Sequence, residues 1–366
     1  MKPVGNRPGV LLLLAMLACL LIASPISAEE EAPGAAPVWP APDQLRAFTE
    51  PWAVAEPVDC SQASCLYLPW IQTAGRFLNT LDRGEVLDAY RQRYVVSPPI
   101  NPEWTGSHDA CAPGGVSQAL TDAILGRVNY FRAMAGVPSS VTFDPEFSRK
   151  SQAAALMLSV NKQLSLPTPQ WKCYSADGAE AFNNANLSLG GFGVDAIKGQ
   201  MRDAGAGNYA VGHRRWILYP QTRQMGTGNV PAAGSYTYGA ALWVFDANLR
   251  GPRPTTRDGF VSWPPPGYVP YGVVFARWSF SYPGADFGQA TISMTEDGGS
   301  VPIAVAPLNV DYGENTIVWI RSGMTDNANW PKPDHDTVYT VTIAGVRLGA
   351  ATRSFSYQVT IFDPDI

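Results

Sequence analysis

The hydrophobic pattern changes period once along this 366-residue chain, near Asn248, and that change limits the possible folds more than any other feature. Ahead of it, apolar residues recur at helical spacing. Leu120, Ile124, Val128 and Phe131 share one face of a segment that begins near Ser117 and is stopped by Gly136 and Pro138. A second helix is predicted from Asp144 to about Gln163, with Asp144 as N-cap and Pro145 at the first helical position. Its alanine-rich SRKSQAAALMLSV stretch suits close packing on a neighbour. A third, shorter helix is predicted over about Val194 to Asp203, and strand-like segments follow at Trp216 to Tyr219, Met225 to Val230 and Tyr236 to Phe245. These segments predict an α+β unit with three helices and a small sheet.

Past Asn248, RGPRP and then WPPPG read as a stiff, polyproline-like connector. Helical signals stop there. ARWSFSY, ATISMTED, VPIAVAPL, NTIVWIRS, VYTVTIAGV and FSYQVTIF alternate apolar with polar residues and are separated by Gly, Asp, Asn and Pro. Such spacing predicts an all-β, immunoglobulin-like sandwich, assigned to residues 251–366.

At the other end, Lys2 and Arg7 precede the apolar run VLLLLAMLACLLIA and the small residues Ser24 to Ala28. Residues 1–28 therefore read as a signal peptide cleaved after Ala28. The run is shorter than the roughly 20 residues that a membrane span needs, so no transmembrane span is expected in the mature chain. Cys19 leaves with the signal. Cys60, Cys65, Cys111 and Cys173 remain, and an even number in an exported chain predicts disulfides. Three pairings are formally possible; the short gap between Cys60 and Cys65 favours a small loop there, with Cys111 left for Cys173. Residues 29–60, rich in Pro, Ala and Glu, read as a linker or tail. Residues 61–110 read as an N-terminal helical extension, with a helical stretch from Leu66 to Tyr94 stopped by Ser97-Pro98-Pro99.

Charge narrows the function. The net charge is −5, and loss of Lys2 and Arg7 takes it to −7, which argues against a nucleic-acid partner. The densest polar region runs from Lys172 to Trp216. Its Asp177, Glu180, Asn183, Asn186, Asn208, His213 and Arg214, set among glycines, are the expected lining of a ligand-binding cleft.

Asn129-x-x-Arg132, the alanine-rich second helix, Ala185-Asn186-Leu187-Ser188-Leu189-Gly190, Gly212-His213-Arg214-Arg215-x-Ile217-Leu218-x-Pro220 and Met225-Gly226-Thr227-Gly228 occur in that order. Together they resemble the CAP superfamily of cysteine-rich secretory, antigen 5 and pathogenesis-related proteins, in its bacterial secreted form, from Ser117 to about Phe245. For residues 111–250 the resemblance implies an α-β-α sandwich and an extracellular or periplasmic location. It also implies two histidines and two acidic residues around a cavity able to hold a divalent metal. His213 matches one position. The other histidine position reads Leu166, the glutamate ahead of Asn-Leu reads Ala185, and Asp203 lies near the second acidic position. Zinc needs three or four donors, so no metal is expected.

The leading expectation is a non-enzymatic binding module for a protein, glycan or lipid at the cell envelope or outside the cell. Two alternatives remain: a metal- or His/Glu-dependent hydrolase of peptides or cell-wall polymers, with His213, Glu180 and Asp203 as candidate residues, and a lipid or sterol carrier. His108 and His335 read as residues of solvated turns. Trp278, Trp319 and Trp330 read either as sugar-stacking surface residues or as core.

Overall fold

The computed structural model describes residues 77–95 and 99–366. The signal, the linker and the Cys60–Cys65 pairing lie outside the described residues.

Helix α1 (Arg83–Ala89) is capped by Asp82, whose side chain accepts from the Glu85 N–H, and it continues as one π turn to Tyr94. It is shorter than the expected Leu66 to Tyr94 stretch, since residues 77–82 are not helical. Helix α2 (Gln118–Met134) starts at Ser117, as predicted. Strand β1 (Thr142–Phe143) leads into α3 (Pro145–Asn161), where Asp144 Oδ1 accepts from the N–H groups of Glu146 and Phe147. Next come α4 (Ala176–Phe182), β2 (Ala185–Leu189), α5 (Gly193–Arg202), α6 (Gly212–Ile217), β3 (Gln224–Val230) and β4 (Gly239–Trp243). One prediction is corrected here: Trp216 and Ile217 lie in α6 instead of a strand. The polar Lys172 to Gly190 region adds a helix and a strand to those expected.

The four strands form one sheet in the order β1-β3-β4-β2. Alternation along a strand sends successive side chains to opposite faces. Ala241 and Trp243 of β4 and Ala185 of β2 pack with Ala154, Met157, Leu158, Ala181 and Phe182 of α3 and α4. Leu242 and Met225 point the other way, into a core shared with α2, α5 and α6. The result is the expected α-β-α sandwich. Glycines set its tightest contact: a Cβ on Gly226 would lie 2.4 Å from the Phe147 carbonyl carbon, and one on Gly228 would lie 2.1 Å from that of Ser151. Helix α3 therefore rests directly on backbone of β3.

The remaining strands are β5 (Val261–Trp263), β6 (Gly267–Pro270), β7 (Arg277–Ser281), β8 (Thr291–Glu296), β9 (Gly299–Ser300), β10 (Ile303–Val305), β11 (Thr316–Arg321), β12 (Thr337–Leu348) and β13 (Ala351–Phe362). They form two sheets, β10-β11-β7-β5 and β6-β13-β12-β8-β9. Trp278 and Phe280 of β7 meet Tyr339 of β12 and Phe355 of β13, with ring centroids 5.7 and 5.0 Å apart. Trp278, Trp319 and Trp330 are all buried, so they are core and not a sugar-stacking surface.

The expected stiff connector is corrected too. Trp263 belongs to β5, is fully buried, and packs edge-on against Phe131 of α2 at 5.2 Å. One apolar core therefore runs through both layered units. The N-terminal segment closes the same junction: Thr80 bonds the backbone of Pro266 and Tyr268, and the Tyr94 carbonyl accepts from Arg127 of α2 at 2.5 Å. Cys111 and Cys173 form a disulfide.

Candidate functional site

Helix α6 has six residues, too few to be stable alone. Other elements hold both of its ends. Val211 precedes it in the left-handed region (φ 48°) and offers no capping side chain, so the cap comes from Asp203, ten residues before His213, at the end of α5. Asp203 is itself left-handed (φ 55°), which turns its carboxylate toward α6. Oδ2 accepts the backbone N–H of His213 at 2.9 Å and of Arg214 at 3.3 Å, while Oδ1 lies 2.6 Å from His213 Nδ1. At the far end, Arg132 of α2 is fully buried and donates to the carbonyls of Ile217, Tyr219 and Thr222, and to that of Pro138. The Asn129-x-x-Arg132 motif thus acts structurally: Arg132 clamps α6, while Asn129 exchanges two hydrogen bonds with the backbone of Val141.

Burial pushes the His213 imidazole down, but the charge and hydrogen bond of Asp203 outweigh it and hold the ring above its ordinary value. The ring keeps 15% of its side-chain surface exposed, and the Asp203 side chain none. The phenol ring of Tyr312, from the second unit, lies over Gly212, with the nearest ring atoms 3.0 Å from where a Cβ would stand.

The polar residues expected to share one cleft divide between the two faces of the sheet. Asp177, Glu180 and Asn183 belong to the α4 side. There Asp177 pairs with Arg149 at 2.6 Å, Glu180 pairs with Lys150 at 2.8 Å, and Asn183 donates to the Ala179 carbonyl. Asn186, Asp203, Asn208, His213 and Arg214 gather on the α5–α6 side. Asn186 is fully buried and donates to the His213 carbonyl at 3.0 Å, and Asn208 donates to the Ala204 carbonyl at 2.7 Å. Glu180 and His213 thus have the sheet between them and do not form a dyad; Asp203 is the acidic partner of His213.

Arg214 is also reassigned. It is buried, and it donates to the carbonyls of Met201 and Arg202 on its own side and to the Arg277 carbonyl and Ser279 hydroxyl of β7 on the other. Arg215 reaches the carbonyls of Asn309 and Glu314. Arg277 answers from β7, donating to the carbonyls of Asp203, Gly205 and Asn208 and pairing with Asp326 at 2.7 Å. Sequence reading missed Arg277, since one arginine at the start of ARWSFSY carries no local signal. His108 is buried and bonds Ser159 at 3.0 Å, unlike the solvated turn expected; His335 is exposed between Asp334 and Asp297, as expected.

A divalent-metal centre does not fit these residues. Among the described residues no group of three His, Cys, Asp or Glu side chains is placed to hold an ion. Leu166 is exposed, and Ala185 is sealed in the apolar cluster on the sheet face opposite His213. No helix among the described residues is long and apolar enough to cross a membrane.

Residues 125–246 match the model of the family described as CAP, the cysteine-rich secretory protein family. No curated protein matches the chain significantly. The matched segment runs from within α2 to Asp246, and it contains all four strands of the sheet together with Asp203 and His213. The part of the chain that carries most of the α-β-α sandwich, residues 125–246, is thus similar to the CAP family.

Proposed function

We propose that this chain is an exported, non-enzymatic binding module for a protein, glycan or lipid at the cell envelope or outside the cell. One observation carries the reading: the polar groups of the Gly-His-Arg-Arg motif are engaged in holding the architecture. His213 is tied to Asp203, and Arg214 and Arg215 donate to backbone carbonyls across the junction. Catalysis needs a group positioned against a reacting atom, and groups locked into carbonyl contacts do not supply one.

The disulfide supports export, because such bonds persist in oxidising compartments. For the second unit, the orders β10-β11-β7-β5 and β8-β12-β13 correspond to the D-E-B-A and C-F-G arrangements of an immunoglobulin-like sandwich, which supports that finer reading. Lipid carriage gains little support. A groove of about 400 Å³ beside the disulfide has Arg149, Gln152 and Asp177 in its walls, where a sterol would need apolar ones.

The test incubates the purified full chain with casein and with peptidoglycan and measures soluble product. No turnover is expected from the wild type. Turnover that disappears in a folded His213→Asn variant would overturn the reading. Fusing residues 1–28 to a reporter enzyme checks export, with the mature reporter expected outside the cytoplasm.

A further inference from the structure

Strand β13 has a neighbour on one side only for most of its length. It pairs with β12 from end to end, but β6 accompanies it only from Val359 to Phe362, so residues 351–358 form an open edge of that sheet. Along a strand the N–H and C=O of one residue point to one side and those of the next residue to the other. The Asp297 N–H donates to the Val338 carbonyl at 2.8 Å, so Val338, Thr340 and Thr342 turn toward β8. Tyr339, Val341 and Ile343 then turn toward β13, where they pair with Val359, Tyr357 and Phe355. Past the bulge in β12, Arg347 exchanges two backbone bonds with Asp286, and Val346 turns toward Arg353. Both sides of the bulge give the same answer for β13: the main-chain groups of Thr352, Ser354 and Ser356 point outward.

All three residues are exposed, and among the described residues no backbone group meets theirs on that side. An open edge of this kind is a template for another strand, and proteins usually blunt it with charge, proline or a covering segment. Residues 351–357, ATRSFSY, hold no proline and one charge, that of Arg353.

We propose that this edge pairs with the same edge of a second copy of the chain, antiparallel and two-fold symmetric about Ser354. That register sets Ser354 opposite itself and Thr352 opposite Ser356, so every outward residue meets an outward residue. About six hydrogen bonds form, two for each pair. The side chains of these residues are hydroxyls and carry no charge across the axis. Arg353 stands opposite the partner's Phe355 instead of a like charge. The neighbouring registers are worse. Centring the pair on Arg353 sets arginine against arginine, and centring it on Phe355 brings Thr352 against Gln358, where β6 begins. The two-fold pairing uses up the edge of each copy, so it closes at a dimer and does not propagate. One strand on each side is a small interface, so the dimer is expected to be weak.

Sedimentation velocity of the purified full chain tests this, with loading raised from about 1 to 200 µM to bracket a weak interface. The mean sedimentation coefficient is expected to climb from the monomer value toward the dimer value. Ser354→Lys sets like charges across the axis from an exposed position, and it should keep the chain monomeric with Tm unchanged. Ser354→Pro removes an N–H that serves no bond within the chain, and it should do the same. Should Ser354→Pro not fold, Ser354→Lys decides. A monomer at every concentration overturns the proposal and leaves the edge to an extended segment of another protein. A dimer that persists in Ser354→Lys is built elsewhere and overturns it as well.

Discussion

Asp203 holds His213 twice, through ring Nδ1 at 2.6 Å and through the backbone N–H at 2.9 Å. One carboxylate thereby fixes a side chain and starts a helix. Because Asp203 raises the His213 value above 6.5, protonation of the ring favours the folded state. That contribution is complete below about pH 6.5 and is lost as pH rises through the folded value. Tm measured from pH 5.5 to 9 should therefore fall more in the wild type than in Asp203→Asn. Asp203→Asn should also cost about 3 kcal/mol at pH 6, since it breaks a buried pair. Parallel pH profiles in the two proteins would refute the coupling.

Arg132 offers a sharper case, because its partners are all backbone. Truncation to Ala strands four carbonyls and empties the space of a long side chain. At about 1 kcal/mol per stranded group, the loss should be roughly 4 kcal/mol. Urea denaturation reads it as a lower midpoint with an unchanged slope.

Two glycine substitutions should have opposite signs. Gly228→Ala drives a methyl group into the backbone of α3 and should destabilise by about 3 kcal/mol or prevent folding. Gly126 lies inside α2 with nothing near its missing Cβ, so Gly126→Ala should add about 1 kcal/mol. Calorimetric Tm values separate the two, and a neutral Gly228→Ala would contradict the close packing of α3 on β3.

The Cys111–Cys173 bond closes a sequence separation of 62 residues. Loop-closure entropy predicts that replacing both cysteines with serine costs about 4 kcal/mol. A shift in Tm of the double variant under non-reducing conditions measures it.

Arg214→Ala tests the junction. The shared core and the carbonyl contacts predict one cooperative unfolding transition for the described residues. Removing Arg214 should lower cooperativity, seen as a broader transition or two resolved ones in calorimetry.

How much of this was legible in the sequence differs by element. Helices α2 and α3 were readable because Ser117 and Asp144 cap them locally and their apolar residues keep helical spacing. Helix α4 was missed because seven residues with Gly178 among them show no period, although its Ser175 cap was a usable signal. For α6 the apolar run Trp216-Ile217-Leu218 imitates a strand, and the groups that make it helical, Asp203 and Arg132, come from distant positions. The CAP resemblance located His213 but not its surroundings, since no local pattern says that Arg214 and Arg215 are buried.

The junction is tolerant in one further respect. Arg214 and Arg215 grip the second unit largely by main-chain oxygens, those of Arg277, Asn309 and Glu314, which every amino acid possesses. Side chains at Asn309 can therefore drift freely as far as this grip is concerned, while the two arginines cannot. The second unit answers in the same way through its own Arg277, which takes the carbonyls of Asp203, Gly205 and Asn208, so each unit's arginines read the other largely by its backbone course.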